Sequence, residues 1–192
     1  GGLTGPVAPG RVSWRLAGDY LGSDGLVDNT FLNIDDADEA EAITARATLL
    51  VTPDFAPDFS ARFGFTYSDN GSGGNRTTEA IFRETEERIS RKNLPPRREA
   101  EAYIAAATFS YDFNPEFSIT AITGYIDSSD QNQFDPDNSN PDETAIPLPP
   151  GFAEVPTRNQ GSDEVFTQEL RLAYEGDDVS VLFGGYFFDS SG

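Results

Sequence analysis

Between positions 59 and 67 the chain alternates without a break: Phe59, Ala61, Phe63, Phe65 and Tyr67 are apolar, and Ser60, Arg62, Gly64 and Thr66 are small, polar or charged. Side chains of a β-strand point alternately to its two sides, so this run presents one apolar face and one wet face. The alternation recurs. Val12, Trp14, Leu16 and Tyr20 oppose Arg11, Ser13, Arg15 and Asp19; Ile43, Ala45, Ala47, Leu49 and Val51 oppose Thr44, Arg46, Thr48 and Thr52; Phe166, Leu170, Leu172 and Tyr174 oppose Thr167, Glu169, Arg171 and Ala173. The pattern predicts seven strands, at about 10–22, 40–52, 58–69, 100–113, 116–128, 164–175 and 178–190, preceded by the tail of an earlier strand at 1–4.

The connections alternate as well. Short turns are expected at Gly5 to Gly10, Pro53 to Pro57, Asn114-Pro115 and Gly176-Asp177, all rich in the residues that tight reversals require. Long connections fall at about 23–39, 70–99 and 129–163. Strict alternation of short and long is the rhythm of a transmembrane β-barrel, with short turns on the periplasmic side and long loops outside. The expected fold is therefore all-β: a single antiparallel meander of sequential neighbours, with no parallel pair, forming part of a barrel wall.

Four aromatic pairs sharpen this reading. Phe59 and Tyr67, Tyr103 and Tyr111, Phe117 and Tyr125, and Phe166 and Tyr174 are each eight residues apart on the apolar side. Eight residues span about 26 Å along a strand, and tilt shortens this to roughly 20 Å, close to the apolar belt between two aromatic girdles. Trp14, Phe59, Phe63, Phe65, Tyr67, Leu49, Val51, Leu170 and Leu172 are then expected to face lipid, and Arg11, Arg15, Arg46, Arg62, Glu169 and Arg171 to face the lumen. Two features fit less well. Residues 178–190 are apolar on both sides, with Leu182, Tyr186 and Phe188 opposite Val181, Phe183 and Phe187, so their inner face is expected to pack against something inside the barrel. Gln168 falls on the apolar face.

Composition narrows the chemistry. With no Cys and no His among 192 residues, disulfides, thiolate or imidazole metal sites and the usual Ser/His/Asp triad are excluded. No cofactor is expected, and no catalytic residue is assigned. A formal charge of -20 without a basic stripe argues against nucleic acid. No apolar stretch approaches the 18 or more residues that a spanning helix needs. The start at Gly1-Gly2 and the lack of Met suggest an excised segment.

The acids concentrate in two long connections: residues 21–41 carry seven and no base, and 127–164 carry nine with Arg158 as the one base. The run from Asp135 to Glu143 offers oxygen ligands to calcium but lacks the turn Gly and closing Glu of an EF-hand loop, so it reads as a solvated acidic loop. The middle connection differs, holding Arg76, Arg83, Arg88, Arg91, Lys92, Arg97 and Arg98. Within it Thr78 to Arg91 reads as a short surface helix, with Glu84/Arg88 and Glu87/Arg91 as i,i+4 pairs and Pro95-Pro96 beyond its end. Salt-bridged exposure accounts for these arginines; contact with an anionic ligand, through Arg83, Arg88 and Arg91, is the functional alternative.

Several short segments carry a family resemblance. Gly5-Pro6-Val7, then Trp14-Arg15-Leu16-Ala17-Gly18 leading to Asp24-Gly25 and Asp28-Asn29, then Ile119-Thr120-Ala121-Ile122-Thr123-Gly124-Tyr125, and finally Phe166-Thr167-Gln168-Glu169-Leu170-Arg171-Leu172 with Gly184-Gly185-Tyr186-Phe187-Phe188 occur in that order. Together, over nearly the whole chain, they resemble the barrel of TonB-dependent outer-membrane receptors. The resemblance implies a 22-stranded barrel closed by a plug domain. It also implies uptake of a scarce small molecule, such as a ferric siderophore, cobalamin, haem or an oligosaccharide, energised by the TonB complex. The chain would be a single partial barrel domain over 1–192, lacking plug, TonB-contacting segment and remaining strands, in the outer membrane of a Gram-negative bacterium. Two alternatives stay open: another outer-membrane barrel such as a porin, and a soluble or surface-anchored β-sandwich adhesin.

Overall fold

A computed structural model describes residues 1–8, 10–73, 88–135 and 157–192. Ten strands occur among them: β1 (Gly2–Ala8), β2 (Val12–Ser23), β3 (Asp28–Asn29), β4 (Ala40–Val51), β5 (Phe59–Ser72), β6 (Ile89–Ser90), β7 (Arg97–Asp112), β8 (Phe117–Phe134), β9 (Thr157–Glu175) and β10 (Ser180–Ser191). Eight form one sheet in the order β1-β2-β4-β5-β7-β8-β9-β10, every pair antiparallel. The long ladders run without interruption; the register shifts at a bulge between Pro6 and Ala8 in β1. Pro6, which has no N–H to give, sits beside that bulge, a place where a sheet tolerates proline.

The meander matches the expectation for all seven strands, with three differences. The first strand continues to Ala8, so its turn is much shorter than Gly5 to Gly10; Gly10 takes φ 74°, which glycine adopts without steric cost. At the long-loop end β7, β8 and β9 run further than the hydrophobic alternation does, pairing Arg97 with Gln133 and Gln133 with Arg158. Alternation reports what the side chains meet, whereas the backbone ladder continues wherever a partner strand is present. The third difference is a correction: β3 and β6 form a two-residue parallel pair, Asp28 with Ile89 and Asn29 with Ser90, joining two long connections outside the main sheet.

The expected helix at 78–91 is also revised. Residues 78–87 lie outside the described residues, but 89–90 are strand, and no helix occurs among the described residues.

The short turns are tied to one another by backbone bonds. Thr52 N donates to Arg11 O at 2.7 Å, Asp112 N to Asp58 O at 2.9 Å and Glu175 N to Glu116 O at 2.8 Å. Asn114 tightens its turn by accepting from Glu116 N and Phe117 N at 2.9 and 3.0 Å, the Asx geometry that favours Asn at such reversals.

Burial rules out a second packed layer. Among the described residues the buried hydrophobic ones are Val27 and Ala61, while Phe63, Phe65, Leu170 and Leu172 are exposed. A sandwich places alternate residues of both sheets in a shared core; this single sheet has none. Nothing among the described residues covers its apolar face.

Two adjacent glycines test the packing between β9 and β10. A Cβ on Gly184 would stand 2.8 Å from the Leu170 carbonyl oxygen, whereas one on Gly185 would meet nothing within 4 Å. Gly184→Ala is expected to cost about 1–3 kcal/mol because backbone must move, and Gly185→Ala to be neutral or slightly stabilising. Urea unfolding of both variants in detergent checks the difference.

Candidate functional site

The ladder assigns every strand residue to one of two faces, because directly opposed residues share a side. On one face Trp14 opposes Leu49, Leu49 opposes Phe63, and Phe65 opposes Ala47 and Ala105. The aromatic pairs meet across strands: Tyr67 opposes Tyr103 with ring centroids 5.1 Å apart, Phe59 opposes Tyr111, Tyr125 opposes Phe166, and Phe117 opposes Tyr174 at 4.7 Å. They form two rows crossing the sheet. Phe63 and Phe109 pack edge to face at 5.6 Å between them.

The rows do not run straight. Tyr125 opposes Ala105 instead of Tyr103, and Ile119 opposes Tyr111, so both rows step by two residues toward the short turns between β7 and β8. Phe187 opposes Gln168 instead of Phe166, and Tyr67 opposes Ala45 instead of Ile43, repeating the step in the same sense. The rows are level where long loops join the strands and step where short turns do. The mean is one residue per strand, about 3.3 Å for every 4.8 Å across the sheet, which tilts the strands by roughly 35° to the row axis. Closed membrane barrels have this tilt.

Gln168, anomalous in the sequence, is explained by a cross-strand partner. Thr123 Oγ1 donates to Gln168 Oε1 at 2.6 Å and Gln168 Nε2 donates to the Glu169 carbonyl at 3.3 Å. The signal was a Thr at the opposing register position, which pairing alone reveals.

The other face carries Arg15, Arg46, Arg62, Glu169 and Arg171. Arg62 opposes Leu50 and Thr108, Arg46 opposes Ala17 and Thr66, and Arg15 opposes Thr4 and Thr48. Arg171 donates through Nε and Nη2 to both carboxylate oxygens of Glu169, at 2.6 and 2.9 Å, and the two neutralise each other. Arg11 departs from its expected place: it lies in the turn before β2, ion-paired with Asp54 of the next short turn. There it ties the two turns together.

Above the upper aromatic row the long connections are joined. Asn29, 2% exposed, donates from Nδ2 to the Lys92 carbonyl at 2.9 Å and accepts from Phe31 N and Leu32 N at 3.1 and 3.0 Å. Asp28 N donates to Arg88 O, Thr30 N to Ser90 O, and Asp38 Oδ1 accepts from Leu26 N and Val27 N. Ser90, Lys92 and Asp135 are buried with Asn29 and Val27. Of the loop arginines, Arg88 is exposed and Arg91 half-buried, while Arg83 lies outside the described residues. So does most of the acidic run that begins at Asp135. Sequence reasoning missed the Asn29 hub, since an Asn-containing loop looks the same whether or not another loop reaches it.

Two cavities lie at the long-loop end of the strands. One of about 730 Å³ is bounded by Glu41, Asp69, Glu99, Glu101, Ser129 and Gln131; a neighbouring one of about 620 Å³ lies between Ile34, Asp36, Pro95, Arg97 and Arg158. Most of their strand residues belong to the aromatic face, so neither gathers the arginines of the opposite face. Among the described residues no group of acids is arranged to hold a metal ion.

No protein-family model matches the sequence. In structure the chain is similar to the ferric yersiniabactin uptake receptor FyuA of Yersinia pestis, with a TM-score of 0.72 at 17% identity, over 98% of this chain and 28% of that one. The chain has the fold of part of a TonB-dependent receptor barrel, and spans little more than a quarter of that receptor's length.

The Asn29 hub carries its own test. Asn29→Ala leaves two N–H groups and one carbonyl without partners, a loss of about 2–3 kcal/mol that is local to the loops. Limited proteolysis should cut within 24–37 and near 88–93 faster in the variant, with the strand fragments protected as before.

Proposed function

We propose that this chain is a wall segment of an outer-membrane uptake receptor, a single partial barrel domain over 1–192, with its aromatic face in lipid and its arginine face toward the lumen. The observation that carries the reading is the pair of aromatic rows. At roughly 35° of tilt, eight residues give a band about 22 Å high, which matches the apolar belt of an outer-membrane barrel. The sheet's lack of a hydrophobic core of its own supports the same reading, since lipid would cover what the chain leaves bare.

In this reading Trp14, Phe59, Phe63, Phe65, Tyr67, Leu170 and Leu172 contact acyl chains, and Tyr103, Tyr125 and Tyr174 join the rows at the interfaces. Arg15, Arg46, Arg62, Glu169 and Arg171 meet water in the lumen. The long connections lie outside the cell, where the joined loops carrying Arg88 and Arg91 form part of the surface that meets a small-molecule ligand. A ferric siderophore or similar chelate is the favoured class, given the structural likeness to a siderophore receptor. Plug and TonB contacts belong to other parts of such a receptor; Leu182, Tyr186 and Phe188 on the inner side of β10 offer the apolar surface against which a plug would pack. The work of the segment is binding and passage, without covalent chemistry.

Cysteine scanning along β5 tests the faces in the intact receptor in membranes. Cysteines at Arg62, Gly64 and Thr66 should react with a charged maleimide, and those at Phe63 and Phe65 should not. Reactivity without a period of two would overturn the assignment.

Charge insertion tests depth. Phe63 lies midway between the rows, so Phe63→Arg should cost about 2–4 kcal/mol in folding into lipid. Gly64→Arg, pointing the other way into open space, should change stability little. The measurement is urea titration of folding into vesicles.

A further inference from the structure

Thirty-three acids face thirteen bases in this chain, so a guanidinium without a carboxylate partner is unexpected. Along the sheet the arginines divide. Arg171 is bound by Glu169, Arg97 by Glu99, and Arg11 by Asp54. Arg158 reaches Gln133 Oε1 instead of a carboxylate, and Arg98, at the long-loop end, is exposed with no described partner. Arg15, Arg46 and Arg62, between the levels of the two aromatic rows, are exposed too and make no hydrogen bond or ion pair among the described residues. The register puts these three on one face, on the adjacent strands β2, β4 and β5. They also occupy successive rows: Arg46 with Thr66, Arg15 with Thr48 and Gly64, and Arg62 with Leu50. Arg15 and Arg46 are diagonal neighbours, about 7–8 Å apart at their Cα atoms. Thr48 supplies a hydroxyl between them, and Gly64 leaves the space in front of the sheet open. One acid lies close by: Asp19, one row above Arg46, which makes no described contact with it.

We propose that Arg46, Arg15 and Arg62 form an anion-binding track on the inner wall, taking a ligand that carries at least two negative charges and passing it from row to row toward the short-turn end. The inference rests on the lumen assignment above. Guanidinium forks bind oxyanions through paired, charge-assisted hydrogen bonds. An acidic chain repels anions from its surface generally, so a local strip of uncompensated positive charge is where an anion would be held. Spacing of the cations over three rows, instead of clustering at one point, gives several weak sites in series, from which a ligand can leave as readily as it arrives.

The test uses the intact receptor purified in detergent, with inorganic pyrophosphate as probe and isothermal titration as readout. Wild type should bind pyrophosphate, more weakly as salt is raised. Arg15→Gln/Arg46→Gln/Arg62→Gln should weaken binding at least about tenfold. The three lysine substitutions together should lose less, since charge remains while the fork is lost. Arg97→Gln, at the long-loop end, should leave binding unchanged. Each single glutamine variant is measured as well, so that misfolding of the triple variant does not decide the outcome. Unaltered affinity in the glutamine variants overturns the track. So does an absence of pyrophosphate binding in wild type, which would mean that another part of the receptor already occupies the arginines. A charged maleimide separates this from failure of the lumen reading. If Thr48→Cys reacts and Leu49→Cys does not, the faces stand and the track alone falls; the reverse pattern overturns both.

Discussion

The antiparallel ladder is the constraint on which everything else depends. From β2 to β10 the pairs follow one another without a slip, and side chains alternate with a period of two, so placing Phe63 on one side places Arg62, Glu169 and Leu170 as well. Sorting apolar from charged residues costs the sheet nothing extra once that register holds. A one-residue slip in any strand would carry its aromatic residues to the arginine side.

The same ladder explains why an eight-stranded sheet can exist with one buried hydrophobic side chain, Ala61, among its described residues. Backbone hydrogen bonds hold the strands to each other, but they cannot hide the apolar surface. A soluble β protein solves that problem with a second sheet. Here the aromatic rows, stepped by two residues at alternate junctions, define a tilted band instead, and no second sheet packs on it among the described residues. The fold likeness to FyuA comes with 17% of residues shared, as expected where periodicity, more than residue identity, specifies the structure.

The long-loop end obeys different rules. There the side chains no longer alternate, and stability comes from particular polar contacts: the Asn29 hub, the Asp38 carboxylate on two backbone N–H groups, and a two-residue parallel pair. Such contacts join two connections more than fifty residues apart in the chain into one unit.

The strands of the main sheet, the residues that share each face and the spacing of the aromatic pairs were legible in the sequence as local consequences of period-two patterning, and the turn residues marked the short connections; β3 and β6, too short to carry a period, were not. Phe59 through Tyr67 states its two faces without reference to any other segment. Three things were decided by tertiary structure alone. The tilt depends on register between strands, which no single strand encodes. The Thr123–Gln168 pair and the tie of Arg11 to Asp54 depend on which distant residues meet, whereas Arg171 and Glu169 stand two residues apart on one strand and could be paired from the sequence. The loop union through Asn29 depends on a contact across sixty-three positions, and hydrogen bonds over that separation leave no periodic trace in the chain that forms them.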